Sequence, residues 1–208
     1  MSRDAQLILK HGCDRAAATV LLLLLSPFLI GLSLLILVSN GWPALFIQDR
    51  VGKDGKIFRL YKFRTMVRDA VRRGLGTTVG KSDDRITWVG GWLRNWSLDE
   101  LPQVLNVLKG EMSLVGPRPT LEYQVAQYTP FQRRRLEMKP GITGWAQVNG
   151  RNALPWPQRI ELDVWYVDHF SLWLDLRILW RTVGVFLRRE GLYGAGGVND
   201  DFSSPGQP

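Results

Sequence analysis

The stretch Ala16–Val38 runs 23 residues without a charged side chain, and no other feature limits the fold of this chain as strongly. As one helix it would be about 35 Å long at ~1.5 Å per residue, enough for a hydrocarbon core of ~30 Å. It is too long for the apolar part of a signal peptide, and no small-x-small cleavage site follows it directly. Ser26-Pro27 stands at its middle. Proline removes a backbone donor and collides with the preceding turn, so a bend is expected there, with Ser26 able to satisfy a freed carbonyl. Arg3, Lys10 and Arg15 flank the block on one side; Arg50, Lys53 and Lys56 follow on the other. That tie gives no orientation by the positive-inside rule. A spanning helix and a re-entrant one, leaving by the face it entered, both fit these residues.

Outside the block the chain is basic. Its 208 residues carry 27 Lys+Arg against 19 Asp+Glu, a net charge of +8, which favours nucleic acid, phosphorylated ligands or an anionic membrane surface as partners. A hydrophobic share of 45% excludes disorder of the whole chain. A lone cysteine, Cys13, excludes internal disulfides and cysteine-clustered zinc, and His11 and His169 alone make a poor histidine metal site.

The elements read as mainly α with a small β-hairpin, an α+β chain. Ala44–Val51 and Ile57–Phe63 are strand-like runs around Lys53-Asp54-Gly55, a hairpin signal. Residues 68–87 read as a loop or short helix, Ser97–Leu108 as a helix, and Gln124–Lys139 as a basic helix. Glu161–Arg189 is a long helical pattern interrupted near Phe170-Ser171. The organisation expected is a membrane segment over 1–40, a basic body over 41–190 and a disordered tail over 191–208. Nine tryptophans suit wet–apolar boundaries. Trp173, Trp180 and Phe186 share a helix with Arg177, Arg181 and Arg188, a mixture suited to the headgroup plane.

Arg94-Asn-Trp-Ser97-Leu-Asp99-Glu100-Leu-Pro-Gln103 is the most informative local stretch. Ser97 and Glu100 have the spacing of a capping box, and Leu101, Val104, Leu105 and Leu108 follow as a buried face. Asp99 and Glu100 would then lie in the first turn, where acids also simply complement the helix dipole. Pro102, just past that turn, predicts a distorted start. Adjacent carboxylates at a helix start point in different directions. One can act as nucleophile or Mg²⁺ ligand while the other manages a proton. Three further stretches suit phosphate: Lys62-Phe-Arg64-Thr65-Met66, Gly116-Pro-Arg118-Pro119, and Gly141–Asn152 with Gln147, Asn149 and Arg151 among its turn glycines. No Walker-A or Gly-x-Gly-x-x-Gly pattern occurs.

In this order, the segments resemble the bacterial sugar transferase family, the monotopic phosphoglycosyl transferases. The apolar block with Ser26-Pro27 carries the likeness, with Lys62–Met66, Ser97–Gln103, Asn106–Pro119, Lys139–Asn152 and Leu162–Val167. The resemblance covers roughly residues 10–190, in the minimal catalytic form. It implies a UDP-sugar donor with Mg²⁺, attack by Asp99 on the β-phosphate with release of UMP, and transfer of the phosphosugar to a polyprenyl phosphate, usually undecaprenyl phosphate. Glu100 is implied as partner of Asp99, which would also contact Mg²⁺. Lys62, Arg94, Arg118 and Arg151 fall at phosphate or nucleotide contacts, and Asp163 lies in a family motif without an assigned role. Trp96 stands where a small or polar residue is more usual.

Since nucleotide sugars are cytoplasmic, the resemblance implies a re-entrant helix-break-helix turning at Ser26 and Pro27. It also implies a place on the cytoplasmic face of the bacterial inner membrane, the bilayer as a partner, and no nucleic acid. A homo-oligomer fits as well. The competing reading is a membrane-anchored basic binding or scaffold protein without catalysis, in which the acids only cap a helix.

Overall fold

The computed structural model describes residues 2–70, 79–80, 82–188, 191–194, 197–199 and 202. Helix α1 spans Arg3–Asn40 and contains Pro27. It is long and apolar enough to cross a membrane. The expected helix-break-helix is a single helical segment of 38 residues, because helical structure continues through Ser26-Pro27. The reason is local. Pro27 cannot donate to the Leu23 carbonyl one turn back, and the Ser26 hydroxyl donates to that carbonyl instead, at 3.0 Å.

Both halves of α1 dock on the rest of the chain. In the first half, Arg3 donates to the Val167 carbonyl, Lys10 pairs with Asp175, and Ser113 donates to Asp14. Ala18 packs with Phe58, Leu60, Val104, Val107 and Met112. In the second half, Leu32 and Ile36 pack with Ala44, Phe63, Val89 and Leu93. Between these two docks the helix is bare: Leu23 and Leu24 are 71% and 72% exposed.

Strands β1 (Leu45–Val51) and β2 (Ile57–Phe63) form the expected antiparallel hairpin, Val51 opposite Ile57 and Leu45 opposite Phe63. Asp54 and Gly55 take positive φ in the turn, as the Asp-Gly pair permits. Alternation buries Phe58 and Leu60 and brings Lys62 to the same face. Two further small sheets were not foreseen. Strand β3 (Val79–Gly80) pairs antiparallel with β6 (Val198–Asn199), and β4 (Ser113–Val115) pairs in parallel with β5 (Gly141–Thr143). Close approach at the second pair needs glycine. A Cβ on Gly116 would meet the Lys139 carbonyl oxygen at 2.3 Å, and one on Gly141 would meet the Gly116 nitrogen at 2.1 Å.

Helix α2 (Trp88–Asn95) is capped by Thr87, whose hydroxyl accepts from Gly90 N. A 3-10 segment over Leu98–Gln103 leads into α3 (Val104–Lys109). The basic Gln124–Lys139 stretch is not one helix but α4 (Glu122–Ala126), α5 (Pro130–Arg133) and a 3-10 turn, since Pro130 forces a restart. Helix α6 (Trp145–Val148) is short, and α7 (Trp156–Asp168) and α8 (Leu172–Arg188) part at His169–Ser171, at the expected interruption. The 191–208 stretch, expected as a disordered tail, includes β6 and a buried Phe202 set edge-on to Tyr128 and Trp156. Part of the 68–87 loop and most of that tail lie outside the described residues.

The side of α8 that carries Trp173, Leu176, Trp180, Val183 and Leu187 is exposed, and Trp180 reaches 81%. Arg181 departs from the expected headgroup role: it donates to the Val148 carbonyl and to Asn149, and its guanidinium lies over the Trp145 ring.

Candidate active site

The carboxylate pair does not sit in a capped α-helix. Ser97 has φ 48°, in the left-handed region, and its hydroxyl caps nothing. Its N–H closes the end of α2 on the Arg94 carbonyl, so its side chain is turned away from the N–H groups that a capping box would reach. Pro102 then favours 3-10 over α winding, because it cannot supply an i→i−4 bond. The change of winding has a consequence for packing. At ~120° per residue instead of ~100°, six residues rotate the following helix by roughly 120°. Val107 and Asn106 are therefore fully buried, while Leu105 and Leu108 of the expected apolar face are exposed.

Asn106 fixes this arrangement to the hairpin. It donates to the Arg59 carbonyl and to Glu111, and it accepts from Tyr61 N. Lys62, inward on β2, then reaches Glu100 at 2.8 Å, and Arg118 reaches the same Glu100 oxygen at 2.8 Å. Arg151, also at positive φ, donates to Ser97 Oγ at 3.4 Å. Arg94 projects from the end of α2, and its Nε donates to Thr65 Oγ1 at 2.8 Å. A Cβ on Gly90 would fall 1.9 Å from the Thr65 carbonyl oxygen, so glycine is what lets α2 lie on that strand end.

All six residues expected in the site, Lys62, Arg94, Asp99, Glu100, Arg118 and Arg151, line one cleft of about 1230 Å³. Arg64 of the Lys62–Met66 stretch also lines it, but its Nη2 donates to the carbonyls of Asn40 and Gly41 and closes the end of α1. Ser26 and Pro27 lie in the bare part of α1 and are not among the residues that line the cleft.

The two carboxylates have different environments. Burial works against a charged Glu100, but the Arg118 and Lys62 cations overcome it and hold Glu100 well below the usual carboxylate range. Asp99 is pushed upward, first by burial and further by the adjacent Glu100 charge, against the pull of Lys62, Arg94 and Arg118. Among the described residues the Asp99 carboxylate accepts no hydrogen bond and makes no ion pair within 4.0 Å. The pair thus consists of a clamped anion and an unengaged, more basic carboxylate. Reactions that need ionised Asp99 should lose rate on acidification at a pH above the ordinary aspartate range. A kcat/KM profile whose acid limb lies at or below pH 3.8 would contradict this assignment.

No cluster of three or more His, Cys, Asp or Glu among the described residues could hold a metal by itself. One free carboxylate facing a cleft still fits a magnesium ion that arrives with a diphosphate, since Mg²⁺ takes one or two protein carboxylates and fills its shell with phosphate oxygens and water.

Asp163 lies in the wall of the same cleft. It is buried with Arg135, and the two form an ion pair. Arg135 also donates to Tyr128 Oη at 2.7 Å and to the Arg118 carbonyl at 2.9 Å. Burial lifts the Asp163 carboxyl to about 6 against the opposing pull of Arg135. It thus lines the cleft itself and reaches Arg118 through Arg135, which sequence spacing does not reveal.

Gln147 was legible only as one amide in a turn-rich motif. It is 6% exposed, lines the cleft, and neither of its side-chain polar atoms has a partner among the described residues.

Comparison with known proteins shows the family. Residues 5–189 match the family described as Bacterial sugar transferase. The chain is 48% identical to the uncharacterized sugar transferase EpsL of Bacillus subtilis, over 89% of this chain and 91% of that protein. It is 40% identical to the undecaprenyl-phosphate galactose phosphotransferase of Salmonella typhimurium, over 93% of this chain and 43% of that protein. It is 41% identical to the UDP-glucose:undecaprenyl-phosphate glucose-1-phosphate transferase of Escherichia coli, over 85% of this chain and 39% of that one. The chain therefore spans less than half of the latter two relatives. The family match takes in α1, the carboxylate pair and each of the four cations lining the cleft, so this chain belongs to the bacterial sugar transferase family.

Proposed function

We propose that this chain transfers a sugar 1-phosphate from a UDP-sugar to a polyprenyl phosphate such as undecaprenyl phosphate, through a covalent phosphosugar on Asp99, and so starts a membrane-bound glycan. The unengaged Asp99 beside a Glu100 clamped by two cations carries this reading. An Asp99 oxygen attacks the β-phosphorus of the donor. The bond from that phosphorus to the bridging oxygen breaks, and UMP leaves with the electron pair. A phosphate oxygen of the acceptor then attacks the same phosphorus and expels the Asp99 carboxylate. Neither attack removes a proton from the attacking oxygen, which suits a site without a histidine base.

Arg118 and Lys62 fix Glu100, and with Arg94 and Arg151 they supply the positive field in which two anionic substrates meet an anionic nucleophile. A bound Mg²⁺, held by Asp99 and the diphosphate, would neutralise charge on the departing nucleotide. Incubation with a panel of UDP-sugars, without acceptor, should release UMP for at least one sugar, and adding polyprenyl phosphate should yield a lipid-linked phosphosugar. No UMP and no lipid product from any member of the panel would defeat the proposal.

The same reading puts the body on the cytoplasmic face of the inner membrane with α1 re-entrant. Supporting it, both halves of α1 dock on one basic body while its apolar middle is bare. A helix crossing the bilayer could not bring both ends to that body. Impermeant labels should reach both termini from the cytoplasmic side, and termini on opposite sides would overturn the re-entrant geometry.

A further inference from the structure

Two cavities meet at Glu100. Beside the large cleft lies a slot of about 200 Å³, walled by Leu101, Val104, Ile142, Val148, Val185 and Phe186. The cleft and the slot share Ser97, Glu100, Arg118, Gln147 and Arg151, and Asp99 lines the cleft beside them, so a group held at that junction is open to both. Away from this shared mouth the slot's only polar side chains are Thr143 and Thr182, whose hydroxyls bond to each other. Its far wall is α8, where Phe186 is 36% exposed and borders Leu187, 66% exposed, on the apolar outer side of the helix.

We infer that the slot is the acceptor subsite, taking the phosphate of a polyprenyl phosphate at its mouth and the first isoprenoid unit between its walls. This rests on the transferase reading above. The observations assign the two substrates unequally. A nucleotide sugar is polar along its length and suits the cleft lined by Arg94, Asn152 and Arg159. An acceptor with an anionic head and a hydrocarbon tail needs cations at one end and apolar walls at the other, and the slot provides both. At about 200 Å³ against about 1230 Å³ for the cleft, the slot takes only the first part of a polyprenyl chain, and the rest must leave past Phe186 toward the exposed face of α8.

Gln147 marks the junction. Its buried amide, without a protein partner, is placed where it can donate to a phosphate oxygen and accept from a phosphosugar hydroxyl. Trp96, the residue at which the sequence departs from the family pattern, lies 6.2 Å from Phe186 between ring centres and backs that wall residue from outside the slot. Attack from the slot places the acceptor oxygen on one side of the Glu100–Arg118 pair and the departing nucleotide in the cleft on the other. The second substrate need not enter by the path the first product leaves.

The test is steady-state kinetics in detergent micelles with polyprenyl phosphate as acceptor, on Phe186→Ala, which widens the slot, and Val185→Phe, which fills it. Leu187→Ala tests the neighbouring outer face. Phe186→Ala and Val185→Phe should each raise the acceptor KM at least fivefold, while the UDP-sugar KM and acceptor-independent UMP release stay within twofold of the unaltered protein. If Val185→Phe fails to fold, Phe186→Ala decides alone. An acceptor KM within twofold, an equal rise in the donor KM, or an equal effect from Leu187→Ala would each overturn the assignment. If the unaltered protein transfers nothing to polyprenyl phosphate, it is the transferase reading that fails, before any variant is made.

Discussion

Asp99→Asn should abolish transfer, with kcat falling by about four orders of magnitude or more, as for loss of a nucleophile. It should also abolish the UMP released without acceptor, because an amide cannot form the phosphosugar ester. The fold should survive. Asp99 makes no ion pair, and the Lys62–Glu100–Arg118 contacts that hold the 3-10 segment do not involve its carboxylate. Burial already works against a charged Asp99, so a neutral isostere removes an unfavourable charge next to Glu100. The thermal midpoint should therefore hold or rise slightly. This pairing of lost activity with retained stability separates a nucleophile from a helix cap, whose removal lowers stability. Product formation at a near-normal rate would rule Asp99 out.

The second large effect is expected at the Asp163–Arg135 ion pair in the wall of the cleft. Asp163→Ala leaves the Arg135 guanidinium 2% exposed with no counter-ion, and breaking such a pair from one side costs about 3–5 kcal/mol. For a chain of this size each kcal/mol lowers the midpoint by roughly 2–4 °C. The double change Asp163→Leu with Arg135→Met should recover most of that loss, because it strands no charge. It should not recover full activity, since Arg135 also pins the Arg118 carbonyl at 2.9 Å. A midpoint within 2 °C of the unaltered protein after Asp163→Ala would show that the pair holds nothing together.

What was readable in the sequence was what nearby residues decide. The hairpin follows from Asp54-Gly55 between two alternating runs, and the α7–α8 break falls where a loop of three residues interrupts the helical pattern. The motifs that carry the six proposed site residues were legible by their length, and the fold gathers all six in one cleft. The unreadable parts depend on partners distant in the chain. Ser97 looks like a cap, but its left-handed backbone turns it toward Arg151, 54 residues on. The parallel pairing of β4 with β5 depends on Gly116 and Gly141 touching backbone to backbone. Arg64 and Arg181 have the composition of phosphate or headgroup ligands, yet the Nη2 of each donates to backbone carbonyls, and that of Arg181 to Asn149 as well. Gln147 differs from a surface glutamine only in what surrounds it.

The docking of α1 has a consequence for how the molecule comes into being. Ala18 belongs to one of the core clusters, and Leu32 and Ile36 to another. The helix is therefore a structural wall of the catalytic body as well as its anchor. Synthesis delivers it first, while every strand and helix it must touch is still to be made. Until they arrive its apolar surface has no protein to cover it. A version trimmed of its first 40 residues would expose the undersides of β2, α2 and α3 to water. Solubility could not be gained by that cut, because the chain's most apolar helix also completes its core.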